Sequence, residues 1–196
     1  MILKNFIVFE GLDGSGTTTQ SRLLSERLNA VFTCEPSDNP VGSFIRQILR
    51  KEHSVLPQTL AGLFTSDRHE HLFGQNGIDQ QIKSGKTVIC DRYLFSSLAY
   101  QSLDCDFNEI YRLNKDFPLP EIVFFIDTPI EECLKRISGR DAAPELFERA
   151  ELQRRIYDNY QKGFEAFQNA GLNLVKLDGM KTVDELLGEE LKILGK

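Results

Sequence analysis

The sequence predicts an α/β protein, a doubly wound parallel sheet of about five strands with helices on both faces. Three observations predict it. Short continuous apolar runs, Phe6–Phe9 and Ile122–Ile126 above all, read as strands buried on both sides. Stretches with apolar residues three and four apart follow them in alternation, as helices packed on such a sheet require. Turns rich in glycine or proline separate the two kinds, and no internal repeat or low-complexity tract interrupts them.

Each element has its own justification. Phe6–Phe9 runs into a turn holding Gly11, Gly14 and Gly16, and a helix follows from Thr17 to Asn29 with Leu23, Leu24 and Leu28 as its stripe. Val31–Thr33 is a short strand, closed by the polar, proline-containing loop Cys34–Pro40. Phe44, Ile45, Ile48 and Leu49 carry the next helical period, opposite Arg46, Arg50 and Lys51. Another helix starts after Pro57, runs through Leu60, Leu63 and Phe64 to His71, and is broken by Gly74–Gly77. Ile78–Lys83 is a short helix, and Thr87–Cys90 a compact strand with Asp91-Arg92-Tyr93 at its carboxyl end. Ser96–Gln101 and Phe107–Asn114 read as helices, and Pro118-Leu-Pro120 closes that section. The strand Ile122–Ile126 leads to a helix over Glu131–Ser138 and a connection from Gly139 to Pro144. From about Glu145, Leu152, Ile156, Tyr160, Phe164 and Phe167 mark one long helix. Leu172–Leu177 is the last strand and Val183–Leu194 the closing helix. The expected organisation is one domain over residues 1–196, with a small lid at approximately 137–150.

Composition narrows the function. A chain of 196 residues that is 41% hydrophobic suits one globular unit with a sizeable core. Its net charge of −6 and pI near 5.2 argue against a general nucleic-acid binder, which needs a basic face to replace counterions. No apolar run reaches the length of a membrane span. The strand begins so soon after Met1 that no signal peptide is expected, which makes the cytoplasm the expected compartment. None of the four cysteines, Cys34, Cys90, Cys105 and Cys133, forms a C-x-x-C pair, and Cys90 and Cys133 sit in apolar patterns as buried small hydrophobes.

The stretch with most chemical content is Phe6–Gln20. It has the strand–turn–helix layout of a phosphate-binding P-loop, G-x-x-x-x-G-K-[ST], with Gly11, Gly16 and Thr18 at the required spacing and Thr17 in the lysine position. Glycines let backbone N–H groups converge on an anion, and the helix start adds its own unpaired N–H groups and dipole. An ordinary βα turn with three glycines is the alternative. Asp91-Arg92, at a strand's carboxyl end, fits either a Mg²⁺-and-phosphate pair or a solvent-exposed ion pair. Phe64 and Arg68, four apart, fit either an aromatic face and cation offered to one base, or a core aromatic beside a surface cation. His69-Glu70-His71 is not expected to bind zinc, because residues two apart on a helix diverge and no further His or Cys is near.

Taken together, Phe9–Gln20, Thr33-x-Glu35-Pro36, Leu63-Phe64-x-x-Asp67-Arg68 and Asp91–Gln101 resemble the bacterial thymidylate kinases, in order, over Phe6 to about Tyr160. The resemblance implies a P-loop NTPase-type fold and transfer of the γ-phosphoryl group of ATP to dTMP, with Mg²⁺ as cofactor and a homodimer as assembly. It implies that Gly11, Gly14, Ser15, Gly16, Thr17, Thr18 and Thr19 bind ATP and that Thr18 and Asp91 serve the metal. For the acceptor it implies Asp13 on the 3′-hydroxyl, Phe64 stacked on thymine, Arg68 on a thymine carbonyl, and Ser97 and Gln101 at the base edge. Tyr100 crowds the 2′ position, Arg46 and Arg92 take the phosphate, and Glu35 belongs to the same pocket. Arg92, Asp91 and Arg140 are the expected catalytic set.

Two departures delete positive charge: Thr17 replaces the P-loop lysine and Cys34 the arginine before Glu35-Pro36. Losing one such preorganised donor costs roughly 2.7–4 kcal/mol of transition-state stabilisation. Gly14 stands where some relatives carry arginine; relatives with glycine there place arginine in the lid, so Arg140 is the first candidate substitute, before Arg136 and Arg149. Alternatives left open are a catalytically weak dTMP-binding paralogue and a kinase for another nucleotide.

Overall fold

A computed structural model describes residues 1–137 and 143–196. The expected strands pair side by side as β1 (Ile2–Gly11), β2 (Val31–Cys34), β3 (Val88–Asp91), β4 (Leu119–Asp127) and β5 (Leu174–Asp178). Every pairing is parallel, and the order is β2-β3-β1-β4-β5. The helices are α1 (Thr17–Leu28), α2 (Pro40–Leu49), α3 (Pro57–Phe73), α4 (Ile78–Lys83), α5 (Leu94–Tyr100), α6 (Phe107–Asn114), α7 (Ile130–Ile137), α8 (Ala143–Gln168) and α9 (Val183–Ile193).

The period-two geometry of a strand sends alternate side chains to opposite faces. Phe6 and Val8 of β1, with Val123 and Phe125 of β4, join a core with Phe95 and Leu98 of α5 and Ile156, Tyr160 and Phe164 of α8. Ile7, Phe9, Phe124 and Ile126 point the other way, to Leu24 of α1 and Leu186 of α9. Both faces are covered, which is why the strands read as unbroken apolar runs.

The structure extends several elements. β1 begins at Ile2, because its backbone stays paired with β4 (Leu3 opposite Pro120) across a register shift before Ile7. Asn5, at φ 60°, makes that shift, and its N–H donates to Glu121 at 2.7 Å. Lys4 and Asn5 break the apolar pattern, so hydrophobicity alone hid this part. Pro120, expected to close a loop, lies near the start of β4, where a missing donor is tolerated. α2 starts at Pro40, earlier than its apolar stripe: Asn39 Oδ1 accepts from Val41 N at 2.9 Å and Gly42 N at 3.0 Å, and proline suits the first helical position. The carboxyl ends of β1, β2 and β3 open together at one edge, where ligands bind in such sheets.

One buried group makes stability depend on pH. Glu190, on α9 packed against α1, is 0% exposed, and neither carboxyl oxygen has a partner. Burial, with a smaller push from Glu189, raises its pKa from 4.5 to about 8. Between those values the folded chain holds a proton that the unfolded chain releases, so stability falls as pH rises and the full penalty is present above about 8. Glu190→Gln should therefore raise the thermal midpoint at pH 9 and much less at pH 5. At about 1.4 kcal/mol per pKa unit, the shift sets an upper bound of about 5 kcal/mol on the recovery at pH 9, read from pH-dependent unfolding.

Candidate active site

The turn between β1 and α1 lines a cavity of about 590 Å³ through Asp13, Gly14, Ser15, Gly16, Thr17, Thr18 and Thr19. Gly14 sits at φ +83°, and a Cβ there would stand 2.5 Å from the Cys133 carbonyl oxygen. Glycine is required on both counts, and an arginine would not fit this loop as built. Gly11 is equally confined, 2.4 Å from Ser15 Oγ by the same measure. α1 begins without a side-chain cap, which leaves its first N–H groups and positive dipole end for an anion.

Thr17 is buried at the floor of this cavity, and the cations lining it, among the described residues, are Arg92, Arg136 and Lys181. Arg136 lies against the loop, donating to the carbonyls of Ser15 at 3.2 Å and Gly179 at 3.0 Å. Lys181 pairs with Glu189, which raises its pKa. Arg140 lies outside the described residues with the rest of 138–142 in the expected lid, the lid's later residues fall in the first turns of α8, and Arg149 is exposed on α8.

A second cavity of about 470 Å³ collects Glu35, Arg46, Phe64, Arg68, Ser97, Tyr100 and Gln101. Arg68 is 1% exposed, so the surface-cation alternative does not hold. Its Nε and Nη2 donate to Glu35 Oε2 at 3.0 and 2.6 Å, Nη2 also to Ser97 at 3.0 Å, and Nη1 to Asn114 Oδ1. The guanidinium lies over the rings of Tyr93 and Phe117. Arg46 donates to the Pro36 carbonyl at 2.5 Å and to exposed Asp38 at 2.8 Å. Gln101 Oε1 is buried without a partner. His71 bonds Thr33 at 2.6 Å and approaches Glu35 at 3.3 Å, and His69 packs on Phe73; no metal-binding cluster occurs among the described residues.

Asp13, Thr18 and Arg92 line both cavities and mark their junction. Arg92 pairs with Asp13, not with its neighbour Asp91: Nη2 donates to Asp13 Oδ1 at 2.7 Å, and Tyr100 Oη donates to the same oxygen at 3.0 Å. Arg92 is held at φ +71°, uncommon for a residue with a side chain. Thr18 Oγ1 donates to Asp91 Oδ2 at 2.5 Å, while Asp91 Oδ1 is buried without a partner. A carboxylate with an orphaned oxygen beside a hydroxyl is a donor set suited to a hard oxygen-seeking cation.

Behind Arg92 lies Glu10, 0% exposed, its pKa raised to about 7 by burial against the opposing pull of Ser96, Arg92, Tyr160 and the Tyr93 N–H. Sequence reasoning assigned no part to Glu10, Ser96, Tyr160 or Asn114. The first two lie inside stretches that carried the family resemblance, Tyr160 read only as part of an apolar stripe, and Asn114 gave no signal.

Comparison with known proteins finds thymidylate kinases. The family model for thymidylate kinase matches residues 9–186. A Treponema pallidum (strain Nichols) protein, provisionally named a thymidylate kinase, is 41% identical over 189 residues, 93% of this chain and 91% of that protein. A similarly named Methanocaldococcus jannaschii protein is 39% identical over 96% of both chains. Among solved structures, thymidylate kinase from Ehrlichia chaffeensis superposes with TM-score 0.73 at 27% identity, covering 97% of this chain and 98% of that one. Thymidylate kinase from Candida albicans shares the fold with TM-score 0.75 at 24% identity, covering 97% and 90%.

The Glu35–Arg68 pair is dry, with side chains 3% and 1% exposed. Removing one partner of such a pair strands the other charge, at a cost of about 3–5 kcal/mol. Glu35→Ala should lose stability of that order in urea unfolding, whereas the exposed Lys4–Glu121 pair, removed by Lys4→Ala, should cost under about 1 kcal/mol.

Proposed function

The chain belongs to the thymidylate kinase family, and we propose that it transfers the γ-phosphoryl group of ATP to dTMP, giving dTDP and ADP. The observation that carries this is the junction: a glycine-loop cavity and an aromatic, arginine-walled cavity meet at Asp13, Thr18 and Arg92. A donor phosphate and an acceptor phosphate need such a shared point for in-line transfer.

In this reading the loop N–H groups and the start of α1 hold the ATP phosphates. Mg²⁺, which Thr18 and Asp91 are suited to hold, supplies neutralisation of phosphate charge. Phe64 offers its ring to thymine. Four of the five N–H donors of Arg68 are committed to protein, which leaves one on Nη1. A single fixed donor suits a 4-oxo pyrimidine and opposes the amino group of cytosine. Asp13 and Tyr100 border the sugar, and Arg46 and Arg92 meet the acceptor phosphate. That phosphate is largely dianionic at neutral pH, so its oxygen attacks without a general base. The catalytic work is positioning and charge neutralisation.

The segment near 137–150, with Arg140, serves as a lid that excludes water. The same reading takes the enzyme as cytoplasmic, where ATP and dTMP occur together, and as a homodimer. The weak-paralogue and other-nucleotide alternatives are not favoured, since the matching family and the relatives above are thymidylate kinases, and the retained acceptor side chains support dTMP over other nucleotides.

Coupled ADP-release assays with ATP, Mg²⁺ and each nucleoside monophosphate should show dTMP turnover at least tenfold above that with dCMP or AMP. Tight dTMP binding with no turnover would overturn the reading. Phe64→Ala should raise KM for dTMP about tenfold or more while leaving KM for ATP unchanged. Thr17→Lys extends a cation into the donor cavity from the loop's own position and should raise kcat by about 10–10²; a fall would mean that the site is built around threonine.

A further inference from the structure

The carboxylate of Glu10 lines neither cavity, yet it is bonded to the groups that hold Arg92. We infer that Glu10 is a positioning residue of the transfer site, fixing Arg92 through the hydroxyls of Ser96 and Tyr160. The inference rests on the reading above, that Arg92 meets the acceptor phosphate.

The two carboxyl oxygens have separate tasks. Oε1 accepts from the backbone N–H groups of Tyr93 at 2.9 Å and Ser96 at 3.2 Å, at the start of α5. Oε2 accepts from Ser96 Oγ at 2.6 Å and Tyr160 Oη at 3.0 Å. An ionised carboxylate only accepts, and each hydroxyl has one hydrogen. Where those hydrogens go to Oε2, rather than to the Gly11 carbonyl 3.1 Å from Tyr160 Oη or between the two hydroxyls 2.8 Å apart, both oxygens present lone pairs to Arg92 Nη1, at 3.2 Å from Ser96 and 3.1 Å from Tyr160. The Gly11 carbonyl is a third acceptor, 2.9 Å from the same nitrogen. Nη1 is thus caged by acceptors, while Nη2 is held by Asp13 at 2.7 Å. The guanidinium has a fixed position before any phosphate arrives, as electrostatic catalysis requires.

A purely structural role would be the α5 cap alone, and one substitution separates the two. Glu10→Gln can keep its carbonyl oxygen on the two N–H groups, preserving the cap. Its amide nitrogen then donates where Oε2 accepted, so both hydroxyl hydrogens lose that acceptor and turn to the neighbouring hydroxyl, the Gly11 carbonyl or Arg92. The variant retains the cap and removes the acceptor that orients both hydroxyls.

The test compares Glu10→Gln, Tyr160→Phe and Arg92→Ala, singly and with Glu10→Gln combined with Arg92→Ala. Steady-state kinetics use ATP, Mg²⁺ and dTMP, and titration calorimetry gives the dTMP dissociation constant. Glu10→Gln should lower kcat/KM for dTMP about tenfold or more with KM for ATP unchanged, and Tyr160→Phe about threefold or more. In the Arg92→Ala background, Glu10→Gln should weaken dTMP binding no further. Values within twofold of wild type for both Glu10→Gln and Tyr160→Phe would overturn the inference, as would losses in dTMP affinity that multiply in the double variant. Should Glu10→Gln not fold, Tyr160→Phe, which keeps the core ring, decides alone on the same threshold. Arg92→Ala within twofold of wild type would instead overturn the reading of Arg92, and the inference with it.

Discussion

Parallel pairing of β1 with β3, with Phe9 opposite Asp91, is the constraint on which the site depends. It brings a glycine loop and an Asp-Arg dipeptide, some eighty residues apart in the chain, to one sheet edge. The Arg92 N–H donates to the Phe9 carbonyl at 2.9 Å and its side chain to the Gly11 carbonyl. β2 then pairs with β3, placing Cys34 opposite Asp91 and turning Glu35-Pro36 into the acceptor cavity. Slippage of one residue would turn each of these side chains to the wrong face.

The acceptor cavity is built from arginines that already have carboxylate partners, Arg68 with Glu35 and Arg92 with Asp13. The first pair is buried and adds little net stability, because desolvation offsets attraction, and the second has its Asp13 side open to solvent. What they supply is location. A guanidinium anchored on several sides needs no reorganisation when a nucleotide binds, and the rings around Arg68 keep it dry.

The donor cavity is organised differently. Its anion-binding capacity lies in the backbone, in loop N–H groups and the uncapped start of α1, and these are indifferent to the residue at position 17. Side-chain cations come from outside the loop, from Arg92, Arg136 and Lys181. Cys34 contributes none: burial first, then Asp38 and Asp91, raise its thiol pKa, so the side chain is neutral where the family carries arginine. Among the described residues the donor cavity has these three side-chain cations, each held by other groups, and the placement of Arg92 matters correspondingly more.

The sequence by itself determined the parallel sheet and the order of helices and strands, because these follow from local signals, while the residues expected in the two cavities came from the family resemblance. Apolar period separates strand from helix, and glycine spacing marks the phosphate loop. It missed the first residues of β1 and the capped start of α2, where backbone pairing and an Asn39 cap act without an apolar signal. Partnerships were also beyond it. Asp91-Arg92 reads as a pair in the chain, but β3 ends at Asp91 and the backbone turns at Arg92, φ +71°, so Asp91 meets Thr18 while Arg92 meets Asp13. Tyr160 on α8 and Asn114 on α6 reach the two arginines only because the helices pack against the sheet. Which groups face one another across elements far apart in the chain is a matter of three-dimensional packing, and only the tertiary structure decided it.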